Sequence, residues 1–311
     1  RNLTCFSQAM ESVELFWWGI NNNFISRIPY AYSNPFICAL WNDTQCPSFT
    51  ETGFPFWIYM VTLMVMGPVT SLTQGLVVSM VTGEWRRKGI RNKFFRRERY
   101  ITVAVLFFTA PFMAVSYKLA LEGYYGQVYH SLADRSVVTI LLQVVAFNFM
   151  ADTWFYFTHR MFHEVEWLYK SSHYLHHSAH PVNTFMGNGG DALELITQGE
   201  MQIFFPPIFV PIHISVFILN AMFMQGYVLF LHCGERIRMP YHPLIIDPYE
   251  HNIHHHFGMR NFNFGLYFTF WDRLLGTHKS VLPSFEKEKA LAKANKQDTT
   301  STSSSTRSSS T

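Results

Sequence analysis

From Phe54 to Val81 the chain carries no charged side chain, which favours a membrane-crossing helix for this run. A helix needs roughly 20 apolar residues to cross the hydrocarbon core of a bilayer, which is about 30 Å thick. The composition agrees, because 14% of the residues are charged, whereas soluble domains average about 25%. An ordinary soluble enzyme is therefore excluded, and the small net charge of +3 gives no reason to expect a nucleic-acid partner.

Two further apolar runs complete the predicted path through the membrane. Ile101 to Ala120, which we expect to be broken at Pro111, and Ser136 to Thr158 are each long enough to cross. A basic block lies between the first and second runs: Arg86, Arg87, Lys88, Arg91, Lys93, Arg96, Arg97 and Arg99. The positive-inside rule places this block in the cytoplasm, so the third run delivers the chain back to the cytoplasmic side.

The segment before the first run is predicted to be lumenal. It holds two N-glycosylation sequons, at Asn2 and Asn42. It also holds three of the four cysteines, which are candidates for a lumenal disulfide, Cys38 with Cys46 being a nearer pair than either with Cys5. The fourth, Cys233, lies on the opposite side and is expected to be a reduced thiol.

Three histidine clusters occupy the second half of the chain. They read HRMFH, HYLHH and HNIHH, and offsets of three and four put the imidazoles on one face of a helix. Imidazole is a ligand for Zn, Cu, Fe and Ni, so grouped histidines indicate a bound cation. The predicted ligands are the eight box histidines and two further candidates: His159, His163, His173, His176, His177, His251, His254, His255, His232 and His242. Ten ligands are too many for one ion and about right for two, whereas a closed zinc site needs four.

The third box must meet the first two at the same metals, so the chain from Ile196 to Leu231 must enter the membrane and return. We expect two short passes or a re-entrant hairpin, with breaks at three prolines: Pro206, Pro207 and Pro211. His213 lies in this segment, away from the boxes. It is expected to be structural or pore-lining rather than a ligand.

Two aspartates are the candidate catalytic residues. Asp152 lies inside the third run near its cytoplasmic end, where a carboxylate is a functional candidate. Asp272 follows the third box, and it either packs to lock the chain there or orients a ligand histidine, as ligating imidazoles usually require. Arg160 either pairs with Asp152 or Glu164 or faces lipid headgroups.

The stretches DTWFYFTHRMFHEVEWLYKSSHYLHH, LHCGERIRMP and HNIHHHFGMRNFNFGLYFTFWDRLLGT resemble the fatty acid hydroxylase and sterol desaturase superfamily of membrane di-iron oxidases. The resemblance covers about Phe147 to Lys279 and is nearest to sterol C-5 desaturase-like members. It matches His232 to a family histidine ahead of Gly234, and His242 to a less regular one. Many relatives have another histidine soon after box two, where this chain reads GNGGDALE. Either a carboxylate of that segment, Asp191 or Glu194, takes its role or the site has one ligand fewer.

The resemblance implies an all-α, polytopic membrane protein with about four transmembrane helices and a cytosolic helical cap that carries a histidine-rich di-metal site. We expect four parts: a lumenal or interfacial segment (1–53), a transmembrane hairpin with a cytosolic basic loop (54–135), the catalytic domain (136–282), and a charged, then Ser/Thr-rich disordered tail (283–311). The implied cofactors are two iron ions, with O2 as co-substrate and electrons ultimately from NAD(P)H. A cytochrome-b-type carrier or a reductase is the implied electron partner.

The predicted function is hydroxylation or desaturation of a sterol or related membrane lipid, in the endoplasmic reticulum with the histidine boxes facing the cytosol. The alternatives among enzymes are a fatty acid or sphingolipid hydroxylase and a C-4 methylsterol oxidase. A third alternative, of another class, is a non-catalytic structural subunit of a membrane complex. Metal content separates the classes, since a structural subunit need not hold two equivalents of iron.

Overall fold

The computed structural model describes residues 56–88, 93–121, 127–131, 135–179, 181–234, 237–240, 244–259 and 261–280. Helices dominate this part of the chain, and its two strands are two residues long each. The predicted lumenal segment with its sequons and three cysteines, the C-terminal tail and the candidate ligand His242 lie outside the described residues.

The α-helices of the described residues differ widely in length. In chain order they are α1 (Phe56–Val81), α2 (Glu84–Lys88), α3 (Lys93–Leu121), α4 (Val137–Glu164), α5 (Glu166–Leu168), α6 (Tyr174–His177), α7 (Ala192–Glu194), α8 (Met201–Phe204), α9 (Ile214–Leu231), α10 (Pro248–His256) and α11 (Phe270–Leu274). Between them lie π-helical segments at Tyr169–His173 and Leu195–Glu200 and 3₁₀ segments at Thr184–Asn188 and Pro206–Ile208. The strands β1 (Val128–Tyr129) and β2 (Ile212–His213) pair in parallel.

Four helices, α1, α3, α4 and α9, are long and apolar enough to cross a membrane. Much of their apolar surface faces outward, with exposed fractions of 55% at Val65, 75% at Phe108 and 62% at Val138. Leaving apolar surface in water is unfavourable by about 25 cal/mol per Å², whereas lipid tails cover it without that penalty. The chain is an integral membrane protein, and the predicted all-α fold with about four spans is confirmed.

Prolines do not interrupt the first two spans. α1 runs through Pro68 and α3 runs through Pro111, and the two helices pack against each other. The predicted break at Pro111 is therefore wrong. A proline removes one backbone hydrogen bond, and membrane helices tolerate this loss because neighbouring helices and local adjustments satisfy the freed groups.

Between boxes two and three the chain makes a hairpin of unequal limbs. A short limb, made of α7, the second π segment and α8, leads to the turn at Pro206–Ile208, and α9 returns as a full-length span. At the turn, the amide of Gln127 donates to the carbonyl of Pro207 at 2.6 Å, and β2 pairs with β1. Because β1 belongs to the loop that joins α3 to α4, the turn reaches the end of α4 opposite the first histidine box.

The hydrophobic core lies where α4, α8 and α9 meet. Phe147 and Phe217 are fully buried there, with ring centroids 6.2 Å apart, and Phe204 packs against Phe217 at 5.8 Å. This packing fixes α4 relative to α9. The C-terminal ends of both helices carry candidate metal ligands, so the core sets the distance between those ligands.

The basic block and the histidine boxes lie at the same end of the helices. The guanidinium of Arg97 donates to Ser178 Oγ at 3.2 Å, one residue beyond box two. Further along α3, the hydroxyl of Thr102 donates to the carbonyl of Phe185 at 2.7 Å. Arg97, which its charge predicts to be cytoplasmic, therefore contacts the segment that follows the second box.

Candidate metal centre

The first histidine box lies on the last turns of α4. Ser136 caps the start of this helix, because its hydroxyl accepts a hydrogen bond from the amide of Thr139 at 3.1 Å, and the helix continues to Glu164. His159 and His163 are one turn apart, with exposed fractions of 2% and 1%. A helix of the membrane bundle therefore holds this box directly.

The second box lies on an irregular helix. The chain passes from α5 through the π segment Tyr169–His173 into α6. Such π turns widen a helix locally and are frequent at functional sites. Here the wide turn brings His173 Nε2 to 2.8 Å from His163 Nε2 and 3.2 Å from His159 Nε2. His176 and His177 follow on α6 and are also buried.

The third box lies on α10, which has a strong start signal. The carboxylate of Asp247 caps the helix by accepting the amide of Glu250 at 2.9 Å, and Pro248 occupies the first helical position. The cap sets where the helix begins and hence the rotation of its buried face. That face carries the box histidines: His251, His254 and His255.

His232 joins the boxes from the end of α9, where it is the C-cap residue. Its Nδ1 donates to the carbonyl of Val228 at 2.7 Å. This bond aims Nε2 at the third box, 2.9 Å from His251 Nε2 and 3.0 Å from His255 Nε2. The structure thus brings His232 together with the box histidines. A residue predicted to be a metal ligand must lie close to the other ligands in this way.

Nine imidazoles form two groups, in each of which the candidate ligand atoms lie within 4.8 Å of one another. The five-histidine group is His159, His163, His173, His177 and His254, and the four-histidine group is His176, His232, His251 and His255. Rings of the two groups are adjacent, since the centroids of His177 and His255 are 4.5 Å apart. Ring nitrogens that converge in this way match the arrangement of ligands around a cation.

Boxes two and three each contribute to both groups. In box two, the outer pair His173 and His177 lies in the five-histidine group and His176 lies in the four-histidine group. Box three has the reverse arrangement, with its outer pair in the four-histidine group and its middle residue, His254, in the five-histidine group. Residues four apart lie on one face of a helix. Each box therefore connects the two groups rigidly.

The second ring nitrogen of several ligands has a backbone partner. Nδ1 of His159 donates to the carbonyl of Phe264 at 2.9 Å, and Nδ1 of His254 donates to the carbonyl of Phe262 at 2.8 Å. Nδ1 of His176 donates in the same way to a carbonyl, at 3.0 Å. A proton held at Nδ1 leaves the Nε2 lone pair free, which is the tautomer that a metal needs.

Glu194 supplies a carboxylate beside both groups. Its Oε1 lies 3.0 Å from Nδ1 of His173 and 3.7 Å from Nδ1 of His176. Asp191 places this side chain by accepting the amide of Glu194 at 2.9 Å as the cap of α7. The two described groups consist of histidines, and Glu194 contacts a member of each.

Burial keeps the candidate ligands that lie outside the membrane-spanning helices in their neutral form. Burial lowers the pKa of His176 to about 4. Burial, together with the neighbouring imidazoles, lowers the pKa well below its usual range at six others: His173, His177, His232, His251, His254 and His255. A neutral imidazole keeps the lone pair that binds a metal, whereas a protonated one does not. The donor set therefore fits metal ions.

The two candidate catalytic aspartates hold the loop that follows box three. Asp152 Oδ1 accepts the amides of Leu266 at 2.8 Å and Tyr267 at 2.7 Å. Asp272 accepts the amides of Phe264 at 2.9 Å and Gly265 at 2.8 Å. The carbonyl of Phe264 accepts the hydrogen bond from Nδ1 of His159. By holding the loop, both carboxylates therefore help to position this candidate ligand.

The other charged candidate, Arg160, contacts its own helix. Its Nε donates to Glu164 Oε1 at 2.7 Å, and its Nη1 donates to the hydroxyl of Tyr156 at 3.3 Å. Of the alternatives for Arg160, the described contacts select pairing with Glu164.

His213 lies away from both groups, as expected. Its Nε2 lies 3.2 Å from the carbonyl of His130, and its Nδ1 accepts the amide of Ser215 at 3.2 Å as the cap of α9. His256, directly after box three, is exposed. Neither residue belongs to the histidine groups of the described chain.

One cavity adjoins the histidines and a second lies beside it, and the sequence patterns did not reveal them. A small cavity of about 60 Å³ is bordered by both groups, and a larger one of about 320 Å³ lies between α1, α3, α9 and the short limb of the hairpin. The two share five lining residues: Asn188, Leu195, Gly199, Gln202 and Val228. A usable sequence signal was the alternation of Gln198, Glu200 and Gln202 in the short limb of the hairpin.

Comparison with known proteins agrees with this centre. The fatty acid hydroxylase family model matches residues 144–277, which contain every described member of the two histidine groups. Residues 144–277 therefore form a fatty acid hydroxylase domain, and the chain is similar to sterol desaturases. The resemblance inferred from the histidine boxes is therefore confirmed, and the family together with the two groups indicates a metal site.

Three relatives show the range of the superfamily. Lathosterol oxidase of Homo sapiens is 27% identical over 61% of this chain and 63% of its own length. The Delta(7)-sterol 5(6)-desaturase of Eremothecium gossypii is 28% identical over 54% of this chain and 48% of its own length. Methylsterol monooxygenase 1-3 of Arabidopsis thaliana is 26% identical over 81% of this chain and 91% of its own length. The match thus spans less than two thirds of the lathosterol oxidase. No solved structure matches the chain.

Proposed function

We propose that the protein is a membrane-bound, O2-dependent di-iron oxidase that hydroxylates or desaturates a sterol or related lipid. The observation that carries the proposal is the pair of buried histidine groups at one end of the candidate membrane helices, beside a cavity. A single ion cannot use nine nitrogen ligands, whereas groups of five and four suit two ions. When bound there, iron supplies the chemistry by which O2 attacks an unactivated C–H bond, which side-chain acids and bases cannot attack.

The chain's own residues orient the ligands and keep water away. The nine imidazoles, each 7% exposed or less, would hold the ions. Hydrogen-bond partners at Nδ1 fix the ring direction of five of them: His159, His173, His176, His232 and His254. We assign Asp152 and Asp272 a positioning role, because both carboxylates accept amides of the loop that orients His159. Whether the product is an alcohol or an alkene depends on where this pocket holds the reacting carbon.

The names of the relatives support a sterol substrate, since lathosterol oxidase and Delta(7)-sterol 5(6)-desaturase both act on sterols. The second candidate is a C-4 methylsterol oxidase. The match to methylsterol monooxygenase favours it, because that match covers 81% of this chain and 91% of the relative. The fatty acid or sphingolipid hydroxylase and the non-catalytic subunit have no such support.

We place the histidine boxes in the cytosol and the protein in the endoplasmic reticulum. The contact between Arg97 of the basic block and Ser178 after box two supports this orientation, because basic loops stay on the cytoplasmic side. A cytosolic centre is accessible to a cytochrome-b-type carrier or a reductase that brings electrons from NAD(P)H. The membrane lipid reaches the same centre from the bilayer.

The test combines metal analysis with turnover. The protein, purified from membranes in mild detergent, is expected to contain about two equivalents of iron and to oxidise a Δ7-sterol or a 4-methylsterol when O2 and a reductant are supplied. His176→Ala is expected to abolish this turnover. Normal turnover by that variant would overturn the proposal, as would intact protein that holds no iron and changes no lipid.

A further inference from the structure

The larger cavity opens toward the lipid between α1 and α9. Three apolar residues that line it are also exposed on the outer surface: Met66 by 47%, Ile218 by 37% and Met222 by 45%. At its inner end the cavity shares lining residues with the histidine cavity. A molecule that enters the larger cavity from the bilayer between these two helices therefore comes within one layer of side chains of the histidine cavity.

Polar side chains lie where the two cavities meet. Gln198, Glu200 and Gln202 lie on the short limb of the hairpin and are each 4% exposed. Gln198 borders the histidine cavity, Glu200 borders the larger cavity, and Gln202 borders both. We refer to these three residues as the polar wall.

Each residue of the polar wall has an unused hydrogen-bonding atom. Gln198 Nε2, Glu200 Oε2 and Gln202 Oε1 are buried and have no hydrogen-bond partner among the described residues. Buried polar atoms in native proteins nearly always have a partner. Three unpartnered atoms on the wall of a cavity indicate that a bound molecule supplies the missing bonds.

The charges around the cavity restrict what that molecule is. None of the described residues that line the larger cavity is a lysine or an arginine. A carboxylate in this apolar space would be strongly disfavoured without a cation, so Glu200 is in its uncharged form, which both donates and accepts. The same absence of cations disfavours a fatty acid carboxylate or a phosphate headgroup, whereas an alcohol can exchange hydrogen bonds with this wall.

We propose that the polar wall binds the hydroxyl group of a neutral lipid that enters from the bilayer between α1 and α9, and that Glu200 makes the selecting hydrogen bond. The proposal rests on the proposed function and deepens it, because it assigns the side chains that recognise the hydroxyl of the sterol substrate. In this arrangement the hydroxyl enters first, and the ring carbons next to it lie nearest the histidines. The long apolar remainder occupies the larger cavity and its opening.

The experiment measures binding and needs no turnover. Tritiated lathosterol is bound to the protein in phosphatidylcholine nanodiscs, and it is displaced by cholest-7-ene, which lacks the hydroxyl, by stearyl alcohol or by stearic acid. The wild-type protein is expected to prefer lathosterol over cholest-7-ene by about tenfold. Glu200→Leu is expected to abolish this preference, so that the two lipids bind about equally. Glu200→Gln keeps a donor and an acceptor and is expected to retain most of the preference.

A matched control lies in the same cavity. The hydroxyl of Thr70 already donates to the carbonyl of Met66 at 2.7 Å, so Thr70→Val is expected to leave the preference unchanged. If Glu200→Leu does not fold, Gln202→Leu tests the same wall and is expected to weaken the preference. An unchanged preference in the folded leucine variant overturns the proposal. Stearyl alcohol or stearic acid binding as tightly as lathosterol overturns the sterol assignment.

Different results would contradict the oxidase function and the hydroxyl site of the polar wall. If lathosterol is preferred and the preference depends on Glu200, yet no lipid is oxidised, the hydroxyl site stands and the oxidase function fails. If sterol turnover is found but Glu200→Leu keeps the full preference, the oxidase function stands and the assignment of the polar wall fails.

Discussion

Nδ1 of His173 donates a hydrogen bond to Glu194 Oε1 at 3.0 Å, and the same oxygen lies 3.7 Å from Nδ1 of His176. The two imidazoles belong to different histidine groups. One carboxylate therefore orients a candidate ligand in each group. Burial raises the pKa of Glu194 well above its usual range. The Glu194 carboxyl group is therefore mostly protonated and uncharged unless a nearby cation favours its ionised form.

Removing this carboxylate is expected to weaken metal binding without unfolding the protein. Loss of a hydrogen-bond partner behind a metal ligand typically lowers affinity about 10- to 100-fold, and Glu194→Ala is expected to fall in that range in a chelator competition titration. Glu194→Gln keeps an accepting oxygen and is expected to lose less. The control is Glu166→Gln, because Glu166 is exposed and pairs with Lys170. Equal affinity in wild type and Glu194→Ala would contradict the assigned role.

The division of the histidines predicts which ion each ligand holds. His177→Ala removes a member of the five-histidine group, and His255→Ala removes a member of the four-histidine group. Each variant is expected to lose about one of two metal equivalents, measured by elemental analysis of purified protein. His256→Ala, next to box three but exposed, is expected to keep both. If either ligand variant kept the wild-type metal content, the two-group arrangement would be wrong.

The spacing of the boxes was sufficient to predict the ligand types but not how they divide into groups. Offsets of three and four place the histidines of one box on one side of a helix. Their division depends on the rotation of one short helix against another. The π segment that ends at His173 and the cap at Asp247 set this rotation. Neither effect could be read from histidine spacing alone.

Other differences also come from tertiary context. Pro111 favours a break when only the local chain is considered, but the packed helix α3 runs through it. The polar wall and its cavity exist because α1, α3 and α9 approach the hairpin in space. The sequence placed Glu194 near the site only as one of two alternatives, since its contact with His173 joins residues 21 positions apart.

Substitutions of Asp152 distinguish a positioning role of this residue from a catalytic role. Its carboxylate oxygen accepts amides of the loop after box three, and an asparagine keeps one such oxygen. Asp152→Asn is therefore expected to keep most of the metal and most of the turnover. Asp152→Ala leaves buried amides without a partner and is expected to lower the free energy of unfolding by about 2–4 kcal/mol. The measurement is thermal unfolding in detergent, beside metal content.

A catalytic role for Asp152 would give the opposite pattern. Asp152→Asn would then lose turnover while its metal content and melting temperature stayed at the wild-type level. Asp272→Asn provides a parallel case, because Asp272 accepts amides of the same loop.

The metal-free protein is expected to lose stability as the pH falls below about 6.5, the ordinary pKa of histidine. The buried imidazoles have lowered pKa values, so the unfolded state binds more protons than the folded state in acid, and stability rises with pH. For His176, whose pKa is lowered to about 4, the loss between pH 6.5 and 4 is about 3 kcal/mol. Thermal unfolding with chelator at several pH values measures it. His176→Gln is expected to flatten the dependence and exposed His256→Gln to leave it unchanged, and a melting temperature independent of pH would contradict the reasoning.

A substitution at Gly187 tests how closely the 3₁₀ segment Thr184–Asn188 must approach α9. A Cβ at this position would lie 3.1 Å from Leu229 Cα and 3.1 Å from the carbonyl oxygen of Val228, both of which are backbone atoms that cannot move aside easily. Gly187→Ala is expected to lower the free energy of unfolding by about 1–3 kcal/mol. It is also expected to weaken metal binding, because Val228 orients His232 and the nearby Gly189 orients His176. Gly67→Ala in α1 is the matched control, since a Cβ there meets nothing within 4 Å, and alanine favours a helix by up to about 1 kcal/mol. Equal melting temperatures for the two variants would show that the close approach of Gly187 to α9 does not limit stability.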